Sequence, residues 1–156
     1  MADRGVTARL DALEARVRAL ETGAPARPPA PASDDAGSVE YRGRVHLAGS
    51  VTWSRQLSTS AVLDLPGPVT VDVLAALGHP LRLDVVRRLL RAPASANELQ
   101  EALDLNSTGQ VYHHLRALVS ARVVVAEHQV YSVAPTAVVP LLVIVLAAGD
   151  VAGVLP

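Results

Sequence analysis

Residues 95–118 read SANELQEALDLNSTGQVYHHLRAL, and their pattern sets the expected fold. Ser95 and Glu98 make an S-x-x-E capping box, which opens a helix by satisfying its free amide donors. Ser107 and Gln110 make a second box, S-x-x-Q, and only the corner at Leu105 and Asn106 separates the two predicted helices. Val111, Leu115 and Leu118 recur at the spacing of a single buried helical face. Between them lie Thr108, Gln110, Tyr112, His113 and Arg116, a polar and aromatic mixture where a plain surface helix carries Glu, Lys and Ala. Two capped helices meeting at a tight corner predict a helix-turn-helix.

The flanks extend this reading. VTVDVLAALGH (69–79) predicts a helix closed by Gly78, and Pro80 opens a second, PLRLDVVRRLLRA, with Leu81, Leu83, Val86, Leu89 and Leu90 inward. After the quoted stretch, VVVAEHQVYSV (123–133) holds two β-branched runs around Glu127-His128-Gln129, the pattern of a small hairpin. Pro135 precedes a last, very apolar helix, which Pro140 is expected to start late or bend. The predicted fold class is mainly α (α+β). It comprises a winged helix-turn-helix domain over 69–134 and an apolar C-terminal helix over 135–156.

Towards the N-terminus the character changes twice. Val6, Leu10, Leu13, Val17 and Leu20 follow the heptad spacing of a coiled coil over residues 1–21. Counting Leu10 and Val17 as a positions sets Arg9 and Arg16 at g opposite Glu14 and Glu21 at e, which suits a parallel homodimer. A monomeric helix folded back on its own domain is the alternative. TGAPARPPAPASDDAGS, residues 22–38, is a Pro/Ala-rich linker that buries almost nothing. Residues 39–65 alternate loosely around Ala48-Gly49-Ser50 and predict a β-hairpin with Trp53 on its second strand. A lone hairpin is barely stable, so it is expected to pack on the next domain or on its twin.

Composition narrows the function. The chain has 156 residues, half of them hydrophobic, with no Phe and no Cys. Disulfides, thiolate metal sites and cysteine nucleophiles are therefore excluded. Net charge is -1, so no global pull draws the chain to nucleic acid or to an acidic membrane. The charged first twenty residues do not read as a signal peptide. The apolar run AVVPLLVIVLAAG (137–149) falls short of the roughly 20 residues that span a bilayer, so a cytoplasmic protein is expected. No Gly-rich phosphate loop, clustered carboxylate pair or elbow motif appears, and no enzyme and no cofactor are expected.

LAALGHPLRLDVVRRLL and NELQEALDLNSTGQVYHHLRALVSARVV resemble the opening helix pair and the helix-turn-helix of the ArsR-type family of bacterial winged-helix repressors. The likeness covers roughly residues 70–134. It implies DNA binding as a homodimer, with the closing apolar helix as the dimerisation helix. Many members release DNA when a metal binds, but that property is not expected to carry over. Gln100 and Ala102 stand where metal-sensing relatives place paired cysteines, and the last helix carries no His or Glu, with Asp150 beyond its apolar run.

In a helix-turn-helix the second helix enters the major groove and its N-terminal residues meet base edges. The expected DNA-binding residues are Ser107, Thr108, Gln110, Tyr112, His113 and Arg116. Gln110 suits adenine, Thr108 offers a methyl or hydroxyl, and Arg116 is the phosphate anchor. Gly109 allows close approach, and the capped helix N-terminus offers amides to a phosphate. His114 is expected to point partly inward as a structural histidine. From residue 70 to 133 six arginines (82, 87, 88, 91, 116, 122) face six acids (72, 84, 98, 101, 104, 127), so counterion release should be modest. The wing corner has no Arg, and is expected to contribute little unless His128 is protonated. The leading expectation is a homodimeric, sequence-specific transcriptional regulator, a repressor reading a palindrome in double-stranded DNA. A small-molecule effector of unknown identity, bounded by the Trp- and Tyr-bearing hairpin, is a further expectation. The alternatives are a winged helix that binds protein rather than DNA, and a membrane-associated adaptor held by the C-terminal helix.

Overall fold

The computed structural model describes residues 36–155 together with Glu14, which is helical. The coiled coil expected over 1–21 and nearly all of the 22–38 linker lie outside the described residues. The described chain opens with strands β1 (Ser38–His46) and β2 (Ser50–Ser58), paired antiparallel from Ser38↔Ser58 to His46↔Ser50. Register is unbroken, so Gly43 lies opposite Trp53. A short helix that the sequence reading did not foresee follows, α1 (Thr59–Leu63), capped by Ser58 Oγ on the Ala61 amide at 3.2 Å. The Thr59 amide donates to Gly37 O at 3.0 Å and ties the open end of the hairpin together.

Helices α2 (Gly67–Leu77) and α3 (Pro80–Arg91) come next. The first begins two residues earlier than the sequence suggested, because Pro68 suits a first-turn position. Gly78 closes it at an ordinary φ of -70°, and the Arg82 side chain satisfies its last carbonyls by donating to Ala75 O at 2.7 Å and to Ala76 O. In α3, Val85, Val86, Leu89 and Leu90 are buried. Leu81 and Leu83, expected inward, are only half-buried.

Strand β3 (Ala94–Ser95) leads into α4 (Ala96–Ala102), and α5 (Thr108–Ser120) follows the corner. Strands β4 (Val125–Glu127) and β5 (Val130–Ser132) form the wing hairpin. β3 adds to it, giving the order β3-β5-β4. Last is α6 (Pro135–Val151). It does not start late as expected. Pro135 is its first residue, and Pro140 is built into the second turn, forgoing one helical hydrogen bond.

One core joins these elements: Ala76 and Leu77 of α2, the four apolar residues of α3, Leu99 of α4, Val111, Leu115 and Leu118 of α5, Val123 and Val124, and Leu141 of α6. The β1–β2 hairpin packs on α6. This is the winged helix-turn-helix architecture, mostly helical with a small sheet.

Candidate nucleic-acid interface

The turn between α4 and α5 is fixed at both ends. Ser95 and Glu98 form the complete capping box: Ser95 Oγ accepts from the Glu98 amide at 3.3 Å, and Glu98 Oε2 accepts from the Ser95 amide at 2.7 Å and its hydroxyl at 2.8 Å. The backbone N–H of Ser95 and then its hydroxyl hold the Glu98 carboxyl below its usual pKa, with Arg88 adding to the effect and desolvation opposing it. At the far end of α4, Asp104 adopts a left-handed φ of 49°. Its amide bonds Glu101 O, and the Leu105 amide bonds Gln100 O at 3.0 Å, which is a Schellman closure. The Gln100 side chain completes the clamp, donating to Leu105 O at 3.2 Å. A glutamine at position 100 thus holds the corner itself.

The fourfold repeat of Val111, His114, Leu115 and Leu118 locks the inner face of α5 into the core. The opposite face is free. Gly109, Gln110, His113 and Arg116 are exposed, and Tyr112 is 47% exposed. Neighbours three and four apart on a helix surface lie side by side, so Gln110–His113, His113–Arg116 and Tyr112–Arg116 form one continuous patch. Thr108 is half-buried, at the edge of this face. Ser107 is the N-cap, its Oγ accepting from the Gln110 amide at 3.4 Å. The second capping box is only half made: the Gln110 side chain does not return to the Ser107 amide and has no partner among the described residues. Gly109 leaves the first turn bare, with only Ser107 Oγ near, 3.8 Å from where a Cβ would stand.

His114 is buried, 7% exposed, with Nδ1 lacking any partner. Its ring lies 4.7 Å from that of His79, tilted by 44°, and 5.3 Å from that of His113. His79 is itself the N-cap of α3, its Nδ1 accepting from the Leu81 amide at 3.2 Å. Burial, and then His79, His113 and Arg82 in that order, depress the His114 pKa. This ring contact couples the base of the exposed helix to the start of α3. The sequence reading anticipated the inward His114 and missed its partner His79, because their contact joins residues 35 apart.

The arginines divide into two groups. Arg82 closes α2, Arg88 donates to Ala92 O at 3.2 Å, and Arg87 pairs with Asp84 at 3.1 Å. Arg91, Arg116 and Arg122 are exposed and have no partner among the described residues. The wing tip, His128-Gln129, is exposed and left-handed at both residues, with φ of 49° and 66°. A cavity of about 110 Å³ lies between the hairpin turn and the domain, lined by Val45, Leu47, Leu89, Pro93, Val133 and Val138 among others. Trp53 and Tyr41 do not line it. No group of three His, Asp or Glu among the described residues could hold a metal ion, and no described helix is long and apolar enough to cross a membrane.

The fold and the exposed helix define a winged helix-turn-helix protein, and the helix-turn-helix domain family matches residues 77–126. Similar solved structures include HlyU from Vibrio cholerae N16961, 25% identical, covering 55% of this chain and 96% of its own, with a TM-score of 0.45. The transcriptional repressor BigR from Xylella fastidiosa is 20% identical and covers 60% of this chain and 95% of its own, at TM-score 0.49. NolR from Sinorhizobium fredii is 20% identical, covering 64% and 97%, at TM-score 0.47. No curated protein matches the chain significantly.

Proposed function

We propose that this protein is a sequence-specific, DNA-binding transcriptional regulator of cytoplasmic location, a homodimeric repressor of the ArsR type that reads a palindrome through α5 and does not sense metal in the manner of cysteine-bearing relatives. The observation that carries this reading is the geometry of α5. Its inner face is locked in the core, while Gln110, Tyr112, His113 and Arg116 stand together and exposed on the outer face. Gln110 pairs with adenine N6 and N7, and Tyr112 and His113 meet bases or backbone. Arg116 binds a phosphate, and Ser107 orients the helix start. Half-sites one helical turn apart follow from two-fold symmetry. The apolar groove of about 700 Å³ between α2, α3 and α6 supports the homodimer. An effector small enough for the hairpin cavity would have only a few atoms.

Fluorescence anisotropy on DNA from the protein's own upstream region, with random competitor, tests the reading. If no site lies there, duplexes selected from random sequence supply one. Gln110→Ala and Tyr112→Ala are each expected to weaken specific binding by about 1–3 kcal/mol and to leave binding to random duplex nearly unchanged. Equal binding to all sequences, indifferent to both substitutions, would overturn it. That outcome would favour the protein-binding alternative, which draws support from Arg82, Arg87 and Arg88 being already engaged within the domain.

A further inference from the structure

We propose that the outward face of the β1–β2 hairpin is a second DNA-binding surface, in which Arg42 and Arg44 take backbone phosphates of a duplex; this rests on the DNA-binding reading above. Directly paired residues of antiparallel strands share a face. Arg42 therefore stands beside Ser54, Arg44 beside Thr52 and His46 beside Ser50, and all six are exposed. The opposite face is the one laid on α6, since a Cβ at Gly43 would meet Val139.

Three observations point the outward face at a polyanion. The first is charge. Arginines and acidic residues balance over residues 36–155, and balance again within 70–133, whereas the outward face of the hairpin holds Arg42 and Arg44 against Glu40 alone, Arg55 lying on the other face beside Tyr41. Glu40 sits at the open end, beside Gln56. The second is availability. Arg42 and Arg44 have no carboxylate or carbonyl partner among the described residues, unlike Arg82, Arg87 and Arg88. The third is the company they keep. The residues across from the two arginines are hydroxyl-bearing Ser54 and Thr52, side chains that also bond phosphate oxygens. Two residues apart on one face, the arginines stand about 6.8 Å apart along the strand, two base steps of a duplex axis. A two-stranded ribbon also fits a groove of the duplex. The helix-turn-helix leaves few free cations for counterion release, and the hairpin supplies the missing ones.

The test uses the full chain and a salt series on both a selected site and a random duplex. For Arg42→Ser with Arg44→Ser, the slope of log affinity against log salt is expected to flatten by about 1.8 per chain, two phosphates' worth. The preference for the selected site should not change. Arg42→Lys with Arg44→Lys should keep the wild-type slope, and unchanged Trp53 emission checks that the hairpin stays seated. Wild-type binding with an unchanged slope in the serine pair would overturn the proposal and leave the arginines as a solvated edge or a contact for an acidic protein. An equal loss of slope in the lysine pair would overturn it too, since charge would then not be the cause. Failure of the wild-type chain to bind any duplex would remove the DNA-binding reading and this surface together. Gln110→Ala separates the two, because it should lower site preference while leaving the slope intact.

Discussion

A Cβ at position 43 would stand 2.8 Å from Cγ1 of Val139, which is 1% exposed and cannot move aside. Gly43→Val should therefore lever the hairpin away from α6, at about 1–3 kcal/mol for overpacking of this kind. A lower urea midpoint checks this, and Val139→Ala in the same chain should recover part of the loss because the two sites touch. His114 makes a second prediction. Its pKa is lower in the folded chain than in the unfolded one, so the folded state binds fewer protons. The associated stability is complete above the ordinary histidine value of about 6.5 and is lost as pH falls below it. The groups named against His114 are His79, His113 and Arg82, all cations or potential cations, so nothing there compensates a proton. The melting temperature should fall from pH 7 to pH 5, and by less in His114→Leu. An equal fall in the variant would place the acid sensitivity elsewhere.

Three helices end in the same closure, each with its fifth and sixth groups bonding back across a left-handed residue. Gly153 serves α6, but Asp104 and Arg122 serve α4 and α5 without the freedom of glycine. The wing turn is likewise made by His128 and Gln129, both left-handed, where Asn-Gly is the favoured pair. Left-handed backbone costs a side-chain-bearing residue about 1–2 kcal/mol. Replacing His128-Gln129 by Asn-Gly should raise the unfolding free energy by an amount in that range, read as a higher denaturation midpoint. No gain would mean that the wing turn is not of this type in solution. At this scale the sequence was only partly legible. The complete Ser95–Glu98 box and the wing hairpin follow from local pattern. Strand β3 is two residues long and exists only because β5, some 35 positions away, offers it an edge. The second capping box looked like the first, yet only its serine half forms.

Among the described residues, one apolar groove is built from α2, α3 and the end of α6. The second half of α6 exposes Leu146 at 57% beside Leu74, Leu142, Val154 and Leu155, around the groove of about 700 Å³. In a homodimer this face would be covered. Leu146→Glu should then shift sedimentation towards the monomer and weaken DNA binding at a given concentration, while the melting temperature of the monomer changes little. A variant that remains dimeric would move the interface elsewhere, the heptads of residues 1–21 being the next place to look.

The order of the helices and of the two wing strands from residue 69 onward, the helix-turn-helix, and the outward placement of Gln110, Tyr112, His113 and Arg116 are written in the linear sequence, strand β3 excepted. These follow from periodicity, capping and turn chemistry, which act between residues a few positions apart. It took the folded chain to engage Arg82, Arg87 and Arg88 within the domain, to bring His79 against His114, and to seat Gly43 of the hairpin on Val139. The folded chain also left Arg42 and Arg44 facing solvent. The ring contact and the hairpin seat depend on distant segments brought together by burial of a common core. The arginines, by contrast, bond groups only three to seven positions away, Arg87 to Asp84, Arg88 to Ala92 and Arg82 to Ala75 and Ala76, where a linear pattern does not rank the competing acceptors.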